Sequence, residues 1–276
     1  MKFAQSIEVG GVKIGGGEAP VVIAGLCVIE SEALLMQTAI ALKEACERAG
    51  LRLILKASFD KANRSALDSF RGPGIREGLE ILERAKRELD VPVTTDVHAP
   101  DQVERVAEVA DLLQVPAFLC RQTDLLVACA RSGRPVNVKK GQFMAPWDMG
   151  HVVEKLHLSG GKEVMLTERG TSFGYNRLVV DMAGLEDMRA LGAPVCFDAT
   201  HSTQLPGAAK TGTGGNREAA PRLARAAIAA GVDALFFETH PNPAEALSDG
   251  ATALPLQSIS ALLEQVSSID AALRER

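Results

Sequence analysis

The sequence predicts an α/β fold in which eight strand–helix units close into a barrel. The 276 residues, 46% of them hydrophobic and 24% charged, can bury the core of one large domain. Eight short apolar segments recur along the chain, and a pattern typical of an amphipathic helix follows each of them. Eight such units over this length fit a (β/α)8 TIM barrel better than an open sheet. A doubly wound sheet stays open as the alternative, because one sequence does not reveal strand order.

The chain is predicted to begin with a β-hairpin. Residues 6–16 alternate apolar and polar side chains around Gly10 and Gly11, and such a pair suits a two-residue hairpin turn. We expect this hairpin, within residues 1–17, to cover the floor of the barrel. The sequence contains no linker or low-complexity tract, so residues 1–276 are predicted to form a single barrel domain.

The eight predicted strands are apolar on both faces, as expected for parallel strands that helices cover. In chain order they span residues 21–27, 51–58, 91–98, 112–117, 135–141, 164–170, 194–201 and 234–240.

The first predicted helix begins after Ser31, a suitable N-cap, and ends before Gly50, a suitable stop. The other predicted helices span residues 74–89, 100–110, 123–132, 146–158, 178–191, 216–230 and 256–272. Residues 202–216 are rich in glycine and lack apolar periodicity, so we expect a loop there that folds over a site as a lid.

Composition excludes several classes of partner. The net charge is −5, the chain has no basic tail, and aromatic residues make up only 4% of it. Nucleic acid and anionic membrane surfaces are therefore not expected as partners. The five cysteines are scattered without a CxxC pair, no secretory signal is apparent, and no apolar run is long enough to span a bilayer. These features predict a cytoplasmic protein.

Each predicted strand ends in a polar side chain. In a barrel of parallel strands, these carboxyl ends meet at one rim, where barrel enzymes carry their chemistry. A single such residue is accounted for by an ordinary hydrogen bond or salt bridge, but eight in register predict an active site. The residues are Cys27, Lys56, Asp96, His98, Gln114, Lys139, Lys140, Glu168, Arg169, Asp198, His201, Glu238 and His240.

Positive charges are prominent among the residues at this rim and just beyond it. Because phosphates and carboxylates are held by lysine and arginine, the group predicts a small polyanionic ligand. The alternative is that each cation is neutralised locally by a glutamate. The group comprises Lys56, Lys61, Arg64, Lys139, Lys140 and Arg169.

A second group has the chemistry of metal ligands. Cys27, His201 and Glu238 end strands one, seven and eight, which barrel closure brings together, and Asp249 lies in the next loop. A thiolate, an imidazole and two carboxylates suit zinc, iron or manganese better than calcium. No short-range motif links these residues, however, and a lone cysteine at a strand end is usually a small buried hydrophobic residue.

Longer motifs resemble those of the 3-deoxy-D-manno-octulosonate 8-phosphate synthases. The resemblance extends over nearly the whole chain, in the same order. The motifs are KASFDKANRS at residues 56–65, RGPG at 71–74, TDVH at 95–98, QVPAFLCRQTDLL at 114–126, NVKKGQF at 137–143, ERGTSFGYN at 168–176, DATHSTQ at 198–204 and ETHPNP at 238–243.

The resemblance implies a (β/α)8 barrel, a homotetramer and a transferase of lipopolysaccharide precursor biosynthesis. The implied reaction condenses phosphoenolpyruvate with D-arabinose 5-phosphate and water and releases phosphate. The positions implied to hold phosphoenolpyruvate are Lys56, Lys61, Gln114, Lys139 and Arg169. Those implied to hold the pentose phosphate are Asn63, Arg64 and Ser65, together with Arg121 from a neighbouring subunit.

His201, Glu238 and Asp249 match three metal-ligand positions of these synthases, and Cys27 matches the fourth. Members with cysteine there require one divalent metal ion per subunit, whereas members with asparagine do not. The chain departs from the usual GPC by having Leu26 in place of proline. Among the residues of the site, Asp96 is a further candidate for substrate binding.

Lys61, His201 and Asp249 are the candidate catalytic residues, and the sequence does not decide which of His201, Glu238 and Asp249 moves a proton. Two alternatives stay open at this point. One is a heptulosonate 7-phosphate synthase, which usually reads KPRTS where this chain reads KANRS. The other is a barrel that binds sugar phosphates without catalysis.

Overall fold

Eight parallel strands form the closed barrel that the strand–helix count predicts. The computed structural model describes residues 6–64, 66–208 and 214–274. Each strand pairs with the next, and pairing of β8 with both β7 and β1 closes the ring, which excludes the open doubly wound sheet. The strands are β1 Val21–Val28, β2 Leu53–Ser58, β3 Val93–Asp96, β4 Leu112–Val115, β5 Val136–Lys139, β6 Val164–Glu168, β7 Val195–Asp198 and β8 Ala234–His240.

A helix follows each barrel strand. Short 3-10 turns precede α3, α5, α7 and α8, so the regular part of these helices begins a few residues later than predicted. The helices are α1 Glu32–Arg48, α2 Ile75–Leu89, α3 Val103–Val109, α4 Thr123–Arg131, α5 Gly150–Leu158, α6 Gly184–Arg189, α7 Ala220–Ala229 and α8 Ile259–Arg274.

Both ends of α1 form as the sequence predicts. The hydroxyl of Ser31 accepts a hydrogen bond from the Leu34 amide at 3.2 Å, which satisfies one of the free amides of the first turn. At the other end, Gly50 has φ +68°, and the Leu51 amide donates to the Cys46 carbonyl at 2.9 Å. This pattern is the Schellman motif, in which a left-handed glycine ends the helix.

The helix predicted over residues 178–191 is wrong in its first half. Arg177–Val179 is a strand that pairs antiparallel with Thr171–Gly174, and α6 begins only at Gly184. Leu178 is buried while the residues on either side of it are exposed. This alternation is the period of a strand, and it is too short to be separated from a helical pattern by sequence alone.

The loop predicted over residues 202–216 carries some secondary structure. Its first residues belong to a 3-10 turn, His201–Thr203, and Gln204–Leu205 then pairs antiparallel with Gly214–Gly215. Residues 209–213 lie outside the described part of the chain. A two-residue strand, Leu254–Pro255, extends the edge of β8 beyond the barrel.

The N-terminal hairpin forms as predicted and closes the amino end of the barrel. Strands Ile7–Val9 and Val12–Ile14 pair across Gly10 and Gly11, which have φ of +53° and +80°. Two positive φ values in succession characterise the tight turn that glycine allows. The inward-facing side chains of the hairpin, Ile7, Val9, Val12 and Ile14, join one buried cluster with Val21, Ile23, Ile54, Leu112, Met165, Cys196, Ala234 and Phe236 from the strands.

A larger apolar cluster lies between the barrel and its helices. It includes Leu35 and Leu42 of α1, Leu82 of α2 and Leu263 of α8, all fully buried against outward-facing strand residues. Within the described residues, no helix is both long enough and apolar enough to cross a membrane.

Candidate active site

A cavity of about 990 Å³ opens at the carboxyl end of the barrel. Most of the site residues predicted from the sequence lie in its wall, although they come from loops that are far apart in the chain. The candidates that line it are Lys56, Lys61, Asn63, Arg64, Asp96, Gln114, Lys139, Arg169, His201, Glu238 and Asp249.

Two of the residues that the resemblance assigns to the site, Cys27 and Arg121, do not line this cavity. Cys27 lies behind the cavity wall, where it contacts Asp249. Arg121 is exposed and does not line the cavity of its own chain. Ser65 lies outside the described residues.

The local structure of β1 brings Cys27 to this end of the barrel. At Gly25 the strand passes so close to β2 that a Cβ atom would lie 1.9 Å from the Lys56 carbonyl oxygen. The pairing register shifts between Gly25 and Val28, and such a bulge redirects side chains. The Lys56 ammonium then donates to the carbonyls of Leu26 and Cys27 at 3.3 and 2.9 Å. Leu26 itself is buried in the layer between barrel and helices.

The predicted metal ligands converge. One ligand atom each from Cys27, Glu238 and Asp249 lies within 4.8 Å of the other two. His201 Nε2 is 3.6 Å from Glu238 Oε2 and 3.5 Å from Asp249 Oδ2. Glu238 Oε2 is buried and has no hydrogen-bond partner among the described residues, which is costly unless something else binds it. The donor set and this free oxygen fit a borderline divalent cation.

Asp198 orients His201, a role that sequence reasoning did not assign. Its carboxylate lies 2.7 Å from His201 Nδ1 and accepts the His201 amide at 2.9 Å. Burial would raise the pKa of Asp198, but the positive charges of His201 and Lys139 outweigh burial and hold that pKa far below its usual range. With Nδ1 engaged by a carboxylate, Nε2 is turned towards Glu238 and Asp249, as in many metal sites.

The lysines of the site are buried among acids. Lys56 Nζ lies 2.6 Å from Glu238 Oε1, and Lys61 Nζ lies 3.7 Å from Asp96 and 3.9 Å from Glu238. Burial would lower the pKa of Lys61, but its acidic neighbours Cys27, Glu238 and Asp96 outweigh burial and raise that pKa well above its usual value. Lys61 is therefore held as an ammonium beside the cavity.

Two further cations complete this wall. Lys139 Nζ lies 3.5 Å from the ring centroid of Phe236, a cation–π contact, and 2.6 Å from Asp198. The side chain of Arg169 donates to Gln204 at 2.6 Å, while its Nη1 is buried without a hydrogen-bond partner in the part of the chain that the structure describes. Burial lowers the pKa of Arg169. An unpaired buried donor in a cavity wall is suited to an anionic ligand.

Lys140 does not contribute to this wall. Its ammonium lies 3.5 Å from Glu168 and donates to Thr171 and Met144, and its side chain is fully buried outside the cavity lining. The expectation that Lys140 joins the ligand-binding cations is therefore wrong. Consecutive residues of a strand point to opposite faces, so Lys139 and Lys140 face different surroundings.

A chain of hydrogen bonds crosses the barrel interior below the cavity. Asp96 accepts from Ser58 and from Gln114 Nε2, each at 2.5 Å. Gln114 Oε1 accepts from Asn137 at 3.2 Å, and Asn137 Oδ1 accepts from Thr167 at 2.7 Å. Because an ionised Asp96 can only accept, this chain fixes the orientation of the Gln114 amide. These hydrogen bonds were not predicted from the sequence. The signal for them is a polar residue within each of several otherwise apolar strands.

Fold and site together define a TIM-barrel enzyme whose cavity, lined by lysines and arginines, lies at the carboxyl ends of the strands. The chain belongs to the DAHP synthetase I family, whose sequence model matches residues 2–275.

Relatives described as 2-dehydro-3-deoxyphosphooctonate aldolase are similar over most of their length. The Geobacter sp. strain M21 protein is 54% identical over 273 residues, which cover 99% of this chain and 100% of the relative. The Acidithiobacillus ferrooxidans protein is 58% identical over 248 residues, covering 90% and 88%. The Cyanothece sp. protein is 54% identical over 262 residues, covering 95% and 96%. These relatives confirm the resemblance that the motifs carry.

Proposed function

We propose that this enzyme condenses phosphoenolpyruvate with D-arabinose 5-phosphate and water, giving 3-deoxy-D-manno-octulosonate 8-phosphate and phosphate, a step towards lipopolysaccharide. The observation that carries the proposal is the single cavity in which Lys61, Lys139, Arg169 and Arg64 converge. The two substrates bring two phosphates and a carboxylate to one site. Several fixed cations are needed to hold such like charges together.

Each part of the wall has a role in this reaction. Lys56, Lys61, Gln114, Lys139 and Arg169 hold phosphoenolpyruvate, while Asn63, Arg64 and Ser65 hold the pentose phosphate, with Asp96 beside them. C3 of the enol attacks the aldehyde carbon, water adds at C2, and phosphate leaves with cleavage of the C–O bond. Holding both substrates in reacting geometry supplies much of the rate.

Lys61, His201 and Asp249 are the proposed catalytic residues. The Lys61 ammonium offers an N–H donor to the aldehyde oxygen, where negative charge develops as the new carbon–carbon bond forms. The side chains of His201 and Asp249 lie 3.5 Å apart in the wall. They are the candidates for taking the proton that water loses on addition.

One divalent cation per subunit, zinc, iron or manganese, would be held by Cys27, His201, Glu238 and Asp249. The convergence of these four residues and the free oxygen of Glu238 support this part of the proposal. When bound, the ion would supply a Lewis acid that orients and polarises the aldehyde. Asp198 keeps Nδ1 of His201 engaged, and Lys56 neutralises one oxygen of Glu238.

We also propose that the enzyme is a homotetramer and that it acts in the cytoplasm. Arg121 is exposed near the cavity mouth, on the same segment as the exposed ring of Phe118. From there it would reach the sugar phosphate bound by a neighbouring subunit. Sedimentation of the purified chain measures the oligomer directly.

The decisive experiment is phosphate release by metal-stripped protein to which single divalent ions are restored. We expect release when phosphoenolpyruvate and arabinose 5-phosphate are both present, none with either alone, and much less with erythrose 4-phosphate. Preference for erythrose 4-phosphate would favour a heptulosonate synthase, and no release with any pair would favour a binding protein.

A pair of cysteine variants tests the metal requirement in the same assay. Cys27→Ala should lose the activity restored by metal ions, whereas Cys129→Ala, a buried cysteine of α4 outside the cavity, should keep it. Full activity of Cys27→Ala after exhaustive chelation would overturn the metal requirement and leave the reaction itself standing.

A further inference from the structure

The loop that presents Asp249 is held from both sides. Glu30, just after β1, accepts a hydrogen bond from the Leu247 amide at 3.1 Å. Arg64, in the loop after β2, donates to the Leu247 carbonyl at 2.8 Å. Asp249 itself has φ +50°, a left-handed conformation that needs support from its surroundings in a residue other than glycine.

Ser248 lies where this loop meets the metal-ligand set. Its hydroxyl accepts from Arg64 Nη1 at 2.6 Å and from Cys27 Sγ at 3.1 Å, and the side chain is only 4% exposed. A hydroxyl can donate as well as accept, so it can keep contact with the sulfur whether that atom carries a proton or not. A single buried oxygen atom, that of Ser248, therefore connects the Arg64 guanidinium to the Cys27 sulfur.

Gln204 makes a parallel link on the other side of Asp249. Its Oε1 accepts from Arg169 Nη2 at 2.6 Å, and its Nε2 lies 3.4 Å from Asp249 Oδ2. One end of each link is thus an arginine, and the other end is a candidate metal ligand. The two arginines differ in their proposed substrate: Arg64 serves the pentose phosphate and Arg169 serves phosphoenolpyruvate.

We propose that Ser248 and Gln204 are positioning residues that connect the metal-ligand set to the two substrate-binding arginines, one for each substrate. The inference rests on the proposed function and extends it to two residues of the cavity lining that have no role assigned in it. Ser248 aligns Cys27 with Arg64, and Gln204 aligns Asp249 with Arg169.

Two consequences follow from these links. Residues that orient metal ligands typically change metal affinity about 10- to 100-fold when they are removed. Coupling between two binding sites is also reciprocal, so a link that helps a cation bind also helps the substrate at its other end. Each bridging residue should therefore affect cation binding together with one substrate but not the other.

The test uses Co²⁺ as the probe, because a cobalt–thiolate bond gives a charge-transfer absorption band that reports on Cys27 without any turnover. Ser248→Ala should weaken Co²⁺ binding about 10-fold and raise the KM for arabinose 5-phosphate several-fold, with little change in the KM for phosphoenolpyruvate. Gln204→Ala should also weaken Co²⁺ binding, but should raise the KM for phosphoenolpyruvate instead. Ser268→Ala, on the exposed face of α8, is the control and should change none of these values.

Arg64→Lys provides a second variant that does not disturb a buried residue. It keeps the positive charge but lacks the fork that reaches both Leu247 and Ser248. We expect weaker Co²⁺ binding even without substrate, whereas a residue that only held a phosphate would leave Co²⁺ binding unchanged.

The possible results distinguish the linking role of Ser248 and Gln204 from the metal site and the proposed function. If the unaltered protein releases phosphate and binds Co²⁺ but the variants bind Co²⁺ normally, or if both KM values move together, the linking role is wrong and the proposed function stands. If the unaltered protein shows no cobalt–thiolate band, the metal site and the linking role are both wrong.

Discussion

The two ends of the barrel are built from the same eight strands but have opposite character. At the amino end, the hairpin packs apolar side chains such as Ile14 against Ile23, Ile54 and Met165 of the strands. At the carboxyl end, the interior residues are lysines, arginines and carboxylates around an open cavity. A buried apolar cluster stabilises the fold directly, whereas buried charges are tolerated only when partners compensate for the loss of water.

Phe236 of β8 marks the boundary between these ends. It belongs to the lower apolar cluster, and its ring lies 3.5 Å from Lys139 Nζ and 5.7 Å from Lys56 Nζ. One side chain thus packs in the lower apolar cluster and also contacts the lysines of the site. Residues that stabilise the fold and residues that form the site are thus separated along the strand direction, and substitutions at the two ends should have different effects.

The largest effect is expected at the carboxyl end. Lys61→Ala should lower kcat/KM about 10³-fold, since it removes a preorganised donor from the reacting site. Steady-state phosphate release measures this change. Lys162→Ala, an exposed residue before β6 at the amino end, is the matched control and should retain activity. Equal losses in both variants would contradict the separation of the two ends.

A smaller effect of the opposite kind is expected at the amino end. Ile14→Ala should lower the free energy of unfolding by about 2–4 kcal/mol, because it leaves a cavity in the lower cluster. At a temperature where the variant is folded, its kcat/KM should stay within about twofold of that of the unaltered protein, because substitutions at distant sites usually act independently. Denaturant unfolding provides the first number, with the exposed Lys13→Ala as the control. A large loss of kcat/KM in folded Ile14→Ala would show that the hairpin is coupled to the site.

The smallest expected effect is a dependence of the free energy of unfolding on pH, which arises at the carboxyl end and not at the apolar amino end. Burial would raise the pKa of Glu238, but Lys56, His201 and Lys61 outweigh burial and lower that pKa from its usual 4.5 to about 2. Its contribution to stability is therefore complete above pH 4.5 and is lost as the pH falls towards 2. Metal-free protein should lose about 1–2 kcal/mol between pH 5 and pH 3 from this group. His201, whose pKa is raised by Asp198 and Glu238 against the effect of burial, is protonated throughout this range and adds no slope.

Two variants test whether Glu238 causes this dependence of the unfolding free energy on pH. Ile14→Ala should shift the whole profile of unfolding free energy against pH downward without changing its shape, because its cluster is apolar. Glu238→Gln should make the slope of the profile below pH 5 smaller by the share of this group, while Asp198, Asp96 and Asp249, whose pKa values are also lowered, keep the rest of the slope. A profile that keeps its full slope in Glu238→Gln would assign the acid sensitivity to other carboxylates.

Much of the fold could be predicted because its signals are local. The apolar segments, the cap at Ser31 and the glycine stop at Gly50 are each set by neighbouring residues. The hairpin of residues 171–179 was missed because its strands, of four and three residues, are too short to show a period. Its turn at Tyr175 and Asn176 takes positive φ without glycine, so the usual turn signal is also absent.

The site was predictable to the extent that it consists of strand ends. Periodicity and strand count place Cys27, Lys139 and His201 at the rim and Asp249 in the loop that follows the last strand, and the motifs add the roles that the resemblance implies. Asp198, Ser248 and Gln204 were not assigned because their roles depend on partners three to 221 residues away in the chain. No local pattern marks a hydroxyl that joins an arginine to a cysteine.

The order of strands and helices, the family and the chemical character of the rim could be predicted from the sequence, because periodicity, motifs and residue type are properties of short segments, whereas closure of the barrel is settled by strand pairing. Which charges face the cavity depends on contacts between distant parts of the chain. The tertiary structure turns Lys139 towards the cavity and Lys140 away from it, redirects Cys27 with a bulge, and leaves one oxygen of Glu238 without a hydrogen-bond partner among the described residues. The physical reason is that contacts across a closed barrel join residues remote in sequence, and their geometry depends on the whole ring.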